Sequence, residues 1–302
     1  MTWHDGVFVT DKLYIGNRLY FSWSLAAWLM VDRFGLSEAV ATTVLYPATE
    51  DGVGALMTDL APARTLPTLV TADGAILSDS MAIAEELASR YPGAGLWPRD
   101  PVARGTARTL ANEMHSSFRA LRGGWPVNLH RSFQSVTPPA DVAAELDRLE
   151  TIWSHARRMT QAAGPWLCGD YSIADAIFAP MAVRLANYGF DTRPVTRAYV
   201  TAHLADPALR RWRAMGLAAG HASPAFELDL PLGPWPGPAP LSAVAVTDGV
   251  AENATCPYSG DPVTHLMRME GRVFGFCNAF CRDKTVADPE AWPAFMALAG
   301  AR

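Results

Sequence analysis

Apolar positions in residues 11–91 change period several times, and each change marks an element. Lys12-Leu13-Tyr14-Ile15 reads as a strand. From Ser22 through Leu25, Ala26, Trp28 and Leu29 to about Phe34 the spacing is helical, and Gly35 supplies a stop. Ala41 to Leu45 is β-branched and predicts a second strand. Residues 46 to 65 carry Gly52, Gly54 and Pro62 and predict irregular structure. A short strand starts after Pro67, Asp73-Gly74 marks a hairpin turn, and Ala75 to Leu77 forms the return strand. Asp79-Ser80 then opens a helix whose apolar side carries Ile83, Ala84, Leu87 and Tyr91. Strands interleaved with helices predict a layered α/β unit.

Trp97-Pro98-Arg99-Asp100-Pro101 is a two-proline break and marks a domain linker. Beyond it the pattern is helical to about Ala219. Val102 to Arg122 is expected as one helix ended by Gly123-Gly124, Ala140 to Gln161 as another, and Ser172 to about Asn187 as a third. The third starts with a capping box, Ser172 with Asp175. Cys168, just before it, reads as a small buried apolar residue with a structural role. Between 221 and 254 six prolines crowd a stretch without period, and Phe226, Leu228, Leu230, Leu232 and Trp235 favour a strap that packs. The expected organisation is therefore an α/β domain over 1–96, an all-α domain over 97–220, a proline-rich linker or strap over 221–254 and a small module over 255–302. The proline-rich segment is expected to separate that module from the body.

Composition narrows the function classes. The chain has 302 residues, enough for two or three domains, and half of them are hydrophobic. A net charge of −5, scattered arginines and only two lysines, Lys12 and Lys284, argue against a general nucleic-acid binder. Four cysteines are too few for a disulfide scaffold. Met1-Thr2-Trp3-His4-Asp5 lacks a signal-peptide pattern, and the nearby apolar stretch Leu25–Val31 is too short to span a bilayer. A cytoplasmic protein without a membrane partner is expected.

The segment Leu66 to Tyr91 carries candidate chemistry. A proline at a strand start leaves the backbone of Leu66 free to pair with an extended ligand, especially if the bond is cis. The helix start at Asp79-Ser80 offers unpaired N–H groups and a dipole to a carboxylate. Together these suit a small anionic peptide, although Asp and Ser are also ordinary caps. The segment resembles the glutathione-binding half of the glutathione S-transferase N-terminal domain, a thioredoxin-like fold, and the likeness extends over residues 11 to about 219. It implies Leu66 and Pro67 as the backbone partner of glutathione, Asp79 and Ser80 as the holder of its γ-glutamyl end, and a homodimer.

A transferase presents glutathione as the thiolate. Lowering a thiol from about 8.5 to about 6.5 requires roughly 2.7 kcal/mol of anion stabilisation. A serine hydroxyl at a helix N-terminus supplies it by hydrogen bond and dipole. Tyr20-Phe21-Ser22-Trp23-Ser24-Leu25 resembles the Tyr-Ser-Ser-Trp-Ser-Leu-Arg turn of bacterial serine-type members, with Phe21 and Ala26 as departures. Ser22 is the candidate catalytic residue, with Ser24 behind it; Ser22 as a plain helix cap stays open. In Glu113 to Arg122, also similar to bacterial members, Met114, Phe118 and Leu121 share one face. His115, Arg119 and Arg122 make a polar stripe that could line a substrate cleft and meet an acidic substrate, or form a solvated face.

The tail holds Cys256-Pro257-Tyr258-Ser259-Gly260 and Phe276-Cys277-Asn278-Ala279-Phe280-Cys281. Three thiolates near one point suggest one zinc or another soft or borderline metal. A hairpin followed by a helix start would converge them, and Cys277 and Cys281 can share a helical face. Asp261, His265, Asp283 or water could be the fourth ligand. The module resembles the short TRASH or YHS metal-binding domains, which implies an α+β fold stapled by metal. The expected function is that of a glutathione transferase acting on a small electrophilic co-substrate. The alternative is a glutathione-binding, weakly catalytic protein that senses metal or thiol state.

Overall fold

The structure, a computed structural model, describes residues 2–4, 7–47, 52–134 and 136–300. Thr2–His4 (β1) pairs antiparallel with Val7–Val9 (β2). Asp11–Ile15 (β3), Ser22–Asp32 (α1), Val40–Val44 (β4), Gly52–Leu56 (α2), Thr68–Val70 (β5), Ile76–Leu77 (β6) and Ser80–Arg90 (α3) build the first domain. Its sheet runs β4-β3-β5-β6, with β4 parallel to β3 and the others antiparallel. This is the thioredoxin-like arrangement. The helix α1 is buried without a break from Ser24 to Val31, because it lies between this sheet's domain and the helices that follow. The segment expected to be irregular contains α2 and a 3-10 turn at Thr58–Leu60; its residues 48–51 lie outside the described ones. Val53 and Met57, four apart, bury against Ala63 and Leu66, a helical signal hidden between glycines.

Pro101–Ser116 (α4), Arg119–Gly124 (α5), Ser132–Phe133 (β7), Ala140–Thr160 (α6), Ile173–Asn187 (α7), Pro194–Ala205 (α8) and Pro207–Ala219 (α9) form the helical domain. The single helix expected from Val102 to Arg122 is two. The chain breaks at Ser117 and at Phe118, whose φ of 59° lies in the left-handed region while its ring stays buried. Distant groups cap both ends. The Glu145 carboxylate accepts from the Ala120 and Leu121 amides at 3.1 and 2.8 Å, and Arg122 donates to the Met114, His115 and Ser117 carbonyls at 3.3, 2.9 and 3.0 Å. At the start of α7 the Asp175 carboxylate accepts from the Ser172 amide at 2.9 Å and the Leu167 amide at 3.1 Å, as the capping box predicts. Cys168 is buried, and burial pushes its thiol up to about 12, in keeping with a structural role.

The strap packs: Phe226, Leu228, Leu230 and Trp235 lie against the main core, and Leu232–Gly233 (β8) pairs with β7. The tail comprises Ala243–Val246 (β9), His265–Met269 (β10), Arg272–Phe276 (β11), Ala279–Ala287 (α10) and Pro293–Gly300 (α11), with the antiparallel sheet order β11-β10-β9. Its core of Met267, Met269, Phe274, Phe276, Trp292 and Phe295 also includes Ala214 from α9. The expected separation of tail and body does not hold. Arg210 of α9 grips Asp288 through two bonds of 2.8 and 2.7 Å and reaches Glu290 at 3.1 Å. Arg211 bonds the Ala291 carbonyl and the Asp32 carboxylate at the end of α1. A core of this size gains stability by sharing a face with a larger one. Among the described residues no helix is long and apolar enough to cross a membrane.

Candidate functional site

A cleft of about 310 Å³ opens where the two domains and the strap meet. Ser22 and Trp23, in the first turn of α1, form one part of its wall. The loop before β5 supplies Arg64, Thr65 and Leu66; the helical domain supplies Arg122, Pro126, Val127 and Arg184; the strap supplies Phe226. Ser22 and Leu66, far apart in sequence, thus share one cavity. Phe21 is the N-cap of α1 and offers no side-chain bond, so the first amides of that helix lack a capping side chain. Ser24 is placed differently. It is fully buried, and its Oγ accepts from the Gly16 amide at 3.0 Å, so it braces the turn from the core side and does not line the cleft.

The Leu66-Pro67 bond is cis, and the Leu66 N–H and C=O make no hydrogen bond to another described residue. Asp79 caps α3: its Oδ1 accepts from the Met81 and Ala82 amides at 2.8 and 3.0 Å. Ser80 is buried at the first position of that helix. Both lie beyond the cleft lining, and Asp79 connects to it through His115. The His115 Nε2 sits 2.9 Å from Asp79 Oδ2, and its ring packs 5.3 Å from that of Trp23. The Arg122 guanidinium stacks on Trp23, 4.8 Å from the ring centroid. The expected stripe of His115, Arg119 and Arg122 is therefore divided by the helix break. Arg122 lines the cleft, His115 bridges Trp23 and Asp79, and Arg119 is exposed outside the lining.

Sequence reasoning missed several participants, Arg184, Phe226 and Glu227 among them. Arg184 is 4% exposed, yet it reaches the cleft from α7. Its signal was a cation inside the otherwise apolar run Phe178 to Leu185, where burial is costly unless put to use. Phe226 stacks on Tyr20 with centroids 5.1 Å apart and closes one side of the cleft. Glu227 accepts from the Tyr20 hydroxyl at 3.1 Å and faces Arg131 at 3.4 Å. Burial, reinforced by Glu227, raises the Tyr20 pKa, the reverse of an activated phenol.

In the tail the three sulfurs of Cys256, Cys277 and Cys281 lie within 4.8 Å of one another, with Cys277 and Cys281 at 3.8 Å. Cys256 sits in a turn closed by its amide to the Asp261 carbonyl at 2.8 Å. Burial pushes its thiol up, but the Cys277, Tyr258 and Ser259 amides together outweigh this and bring it down to about 7. Cys281 is pushed up to about 12, first by burial. Cys277 Sγ accepts from Ser259 Oγ and Asn278 Nδ2, each at 3.3 Å. Asn278 also caps α10 by accepting from the Cys281 amide at 2.8 Å, which aims both cysteines of that turn at Cys256. Amide-supported sulfurs at this spacing fit a thiolate metal site. Asp261, His265 and Asp283 do not join the cluster; His265 bonds Thr264 and Asp283 pairs with Arg282.

Residues 21–90 match the family model described as glutathione S-transferase, N-terminal domain. The chain is 26% identical to a stringent starvation protein A homolog of Coxiella burnetii over 166 residues, 54% of this chain and 73% of that protein. It is 27% identical to a probable maleylacetoacetate isomerase of Caenorhabditis elegans, over 45% of this chain and 63% of that protein. A crystal structure titled as a glutathione transferase homolog from Burkholderia GL BGR1, with bound glutathione, superposes with a TM-score of 0.51 at 24% identity. That match covers 69% of this chain and 98% of the other, and it speaks for the fold. Domain match, relatives and fold agree in one likeness: the chain is similar to glutathione S-transferases, with a thioredoxin-like N-terminal domain and a helical domain behind it.

Proposed function

We propose that the chain binds glutathione and activates its thiol for attack on a small electrophile. The observation that carries this reading is the shared cleft of Ser22 and Leu66. The unpaired Leu66 backbone would take the extended tripeptide, and Ser80 with the Asp79 carboxylate would hold its γ-glutamyl end. Ser22 Oγ–H, in the first turn of α1, would donate to the sulfur, and the helix dipole would favour the anion. With the thiol proton released to solvent, the thiolate's electron pair forms a carbon–sulfur bond to the electrophile, whose own electron pair either departs with a leaving group or, in an addition, moves onto the activating group and is protonated from solvent. The likeness to serine-type transferases supports Ser22 in this role and also supports a homodimer.

Calorimetry with glutathione tests the binding, and no heat of binding by the wild-type chain would overturn it. Ser80→Ala should weaken binding by about 1–3 kcal/mol, the cost of an unsatisfied charged partner. Ser22→Ala should raise the pKa of the bound thiol, read by thiolate absorbance, and leave affinity nearly unchanged. A second reading, a glutathione binder with little catalysis, draws support from Phe226 against the cleft and from Phe21 in place of a serine. Binding without a lowered thiol pKa would select it.

The tail, on the same footing, is inferred to be a TRASH/YHS-like module in which Cys256, Cys277 and Cys281 hold one zinc or another soft or borderline ion. The metal would staple a small core. Metal analysis of the purified protein tests it.

A further inference from the structure

The cleft is cationic in an unusual way. Among the described residues that line it, Arg64, Arg122 and Arg184 are the charged ones, and no carboxylate is present. Arg184 is nearly sealed from solvent and makes no ion pair with a described residue. Its guanidinium is fixed by main-chain carbonyls instead: Nε donates to Trp125 at 2.8 Å, and the contact of NH1 with Pro180 is long at 3.4 Å. The second terminal nitrogen has no partner among the described residues. Arg122 is held in the same manner. One terminal nitrogen donates to three carbonyls and the plane lies on Trp23, which leaves the other terminal nitrogen unengaged. The acid that acts on Arg122, Glu145, is committed to the amides of α5, and Glu227 beside Phe226 is committed to Tyr20 and Arg131.

Two guanidinium groups that line one cleft, one buried and one half-buried, crowd positive charge together, and burial lowers the basicity of both. Burial, and then Arg122, brings Arg184 down to about 10. Burial, and then Arg119, lowers Arg122. Such a pair is costly when empty, and a planar carboxylate that accepts from the free terminal nitrogen of each guanidinium relieves the cost. Neutral hydrogen-bond acceptors of the same shape would not.

We propose that Arg122 and Arg184 form a carboxylate subsite, so that the second substrate of this cleft is a small organic acid. This rests on the reading of the cleft as a glutathione site, because glutathione occupies the Ser22–Leu66 side and leaves the arginine wall for the co-substrate. Phe226, Pro126 and Val127 supply the apolar flank for the acid's carbon skeleton. Both arginines are positioning residues: they orient the acid toward the sulfur.

Calorimetry with trans-cinnamate and trans-cinnamamide, alike in shape and different in charge, tests the subsite with and without saturating glutathione. The wild-type chain should prefer the carboxylate at least tenfold in both conditions. Arg122→Met and Arg184→Met should each remove the preference, Arg184→Lys should keep part of it, and Arg119→Met should leave it unchanged. Arg122→Met serves alone if Arg184→Met does not fold. Equal binding of acid and amide by the wild-type chain overturns the proposal. A preference that vanishes when glutathione is added also overturns it, since the arginines then serve the tripeptide's own carboxylates. If glutathione does not bind while the preference for cinnamate holds and depends on both arginines, the carboxylate subsite stands and the glutathione reading falls.

Discussion

Replacing Arg210 by alanine should open the tail without touching the cleft. The Arg210 and Asp288 side chains are 16% and 10% exposed, and two parallel bonds of 2.8 and 2.7 Å join them. Breaking a pair so well buried leaves an uncompensated carboxylate, and about 3 kcal/mol is the low end of the cost. Glu290 is 38% exposed and adds little. About 3 kcal/mol is a little over two decades in the constant for local opening. Cys256 is 2% exposed and can be alkylated only when the tail opens; Cys168, 4% exposed in the helical domain, is an internal control. In metal-free protein, peptide mass spectrometry after iodoacetamide should find Cys256 labelled about a hundredfold faster in Arg210→Ala, with Cys168 unchanged. Asp288→Ala should speed labelling as well, and the double variant should fall well short of the product of the two. A Cys256 rate within threefold of wild type would refute the dependence of the tail on α9.

Changing Cys277 and Cys281 together to serine should abolish metal binding, measured by elemental analysis, and leave glutathione affinity intact; retained stoichiometric metal would place the site elsewhere. Metal affinity should also fall as pH drops, because the ligands must be deprotonated, and a competitive chelator titration at several pH values reads this. His203, fully buried with both ring nitrogens unpartnered, is brought by burial, and then by Arg33, down to about 3, so between about pH 6.5 and 3 the unfolded chain binds the extra proton and stability falls with pH by about 1.4 kcal/mol per unit. Asp175 has the opposite sign: burial raises it to about 6, so the folded chain binds the proton between about pH 6 and 4, and the two slopes nearly cancel in that window. His203→Phe should therefore gain stability relative to wild type as pH drops below 6.5, measured by denaturant unfolding, and a difference independent of pH would contradict the assignment.

What the sequence made legible were features whose cause is local. Asp79 as a cap, the Asp175 box and the strands around Asp73-Gly74 follow from side chains bonding to their own neighbourhood. The cysteine spacing was legible because a tight turn and one helical turn bring three sulfurs together with few long-range contacts. The break at Phe118 was hidden, since its caps come from Glu145 and from the Arg122 side chain folding backward. Ser24 looked equivalent to Ser22, and only the approach of Gly16 separates a core brace from a cleft residue. Arg184 and Phe226 reach the cleft from elements whose own periodicity says nothing of where they dock. The same holds for Arg210, one arginine among several on an exposed helix until the tail is laid over it.

The contacts of α1 rank how strongly the parts depend on one another. Its first turn carries Ser22, and its last residue, Asp32, bonds Arg211, which also holds the tail at Ala291. A single helix thus touches both the cleft and, through Arg211, the tail. The Arg211 and Asp32 side chains are 19% and 15% exposed, so breaking this pair costs about as much as breaking Arg210–Asp288, about 3 kcal/mol. Against it stand the side chains of α1 buried continuously from Ser24 to Val31 against the sheet and α7, several of which would each cost about 2–5 kcal/mol to remove. The position of Ser22 is therefore set by the core. The tail, in contrast, draws Ala214 into its own small core and rests on Arg210 and Arg211. The contacts between tail and body act on both, but the cleft is held by the larger core, so removing metal should loosen the tail while the cleft keeps its shape.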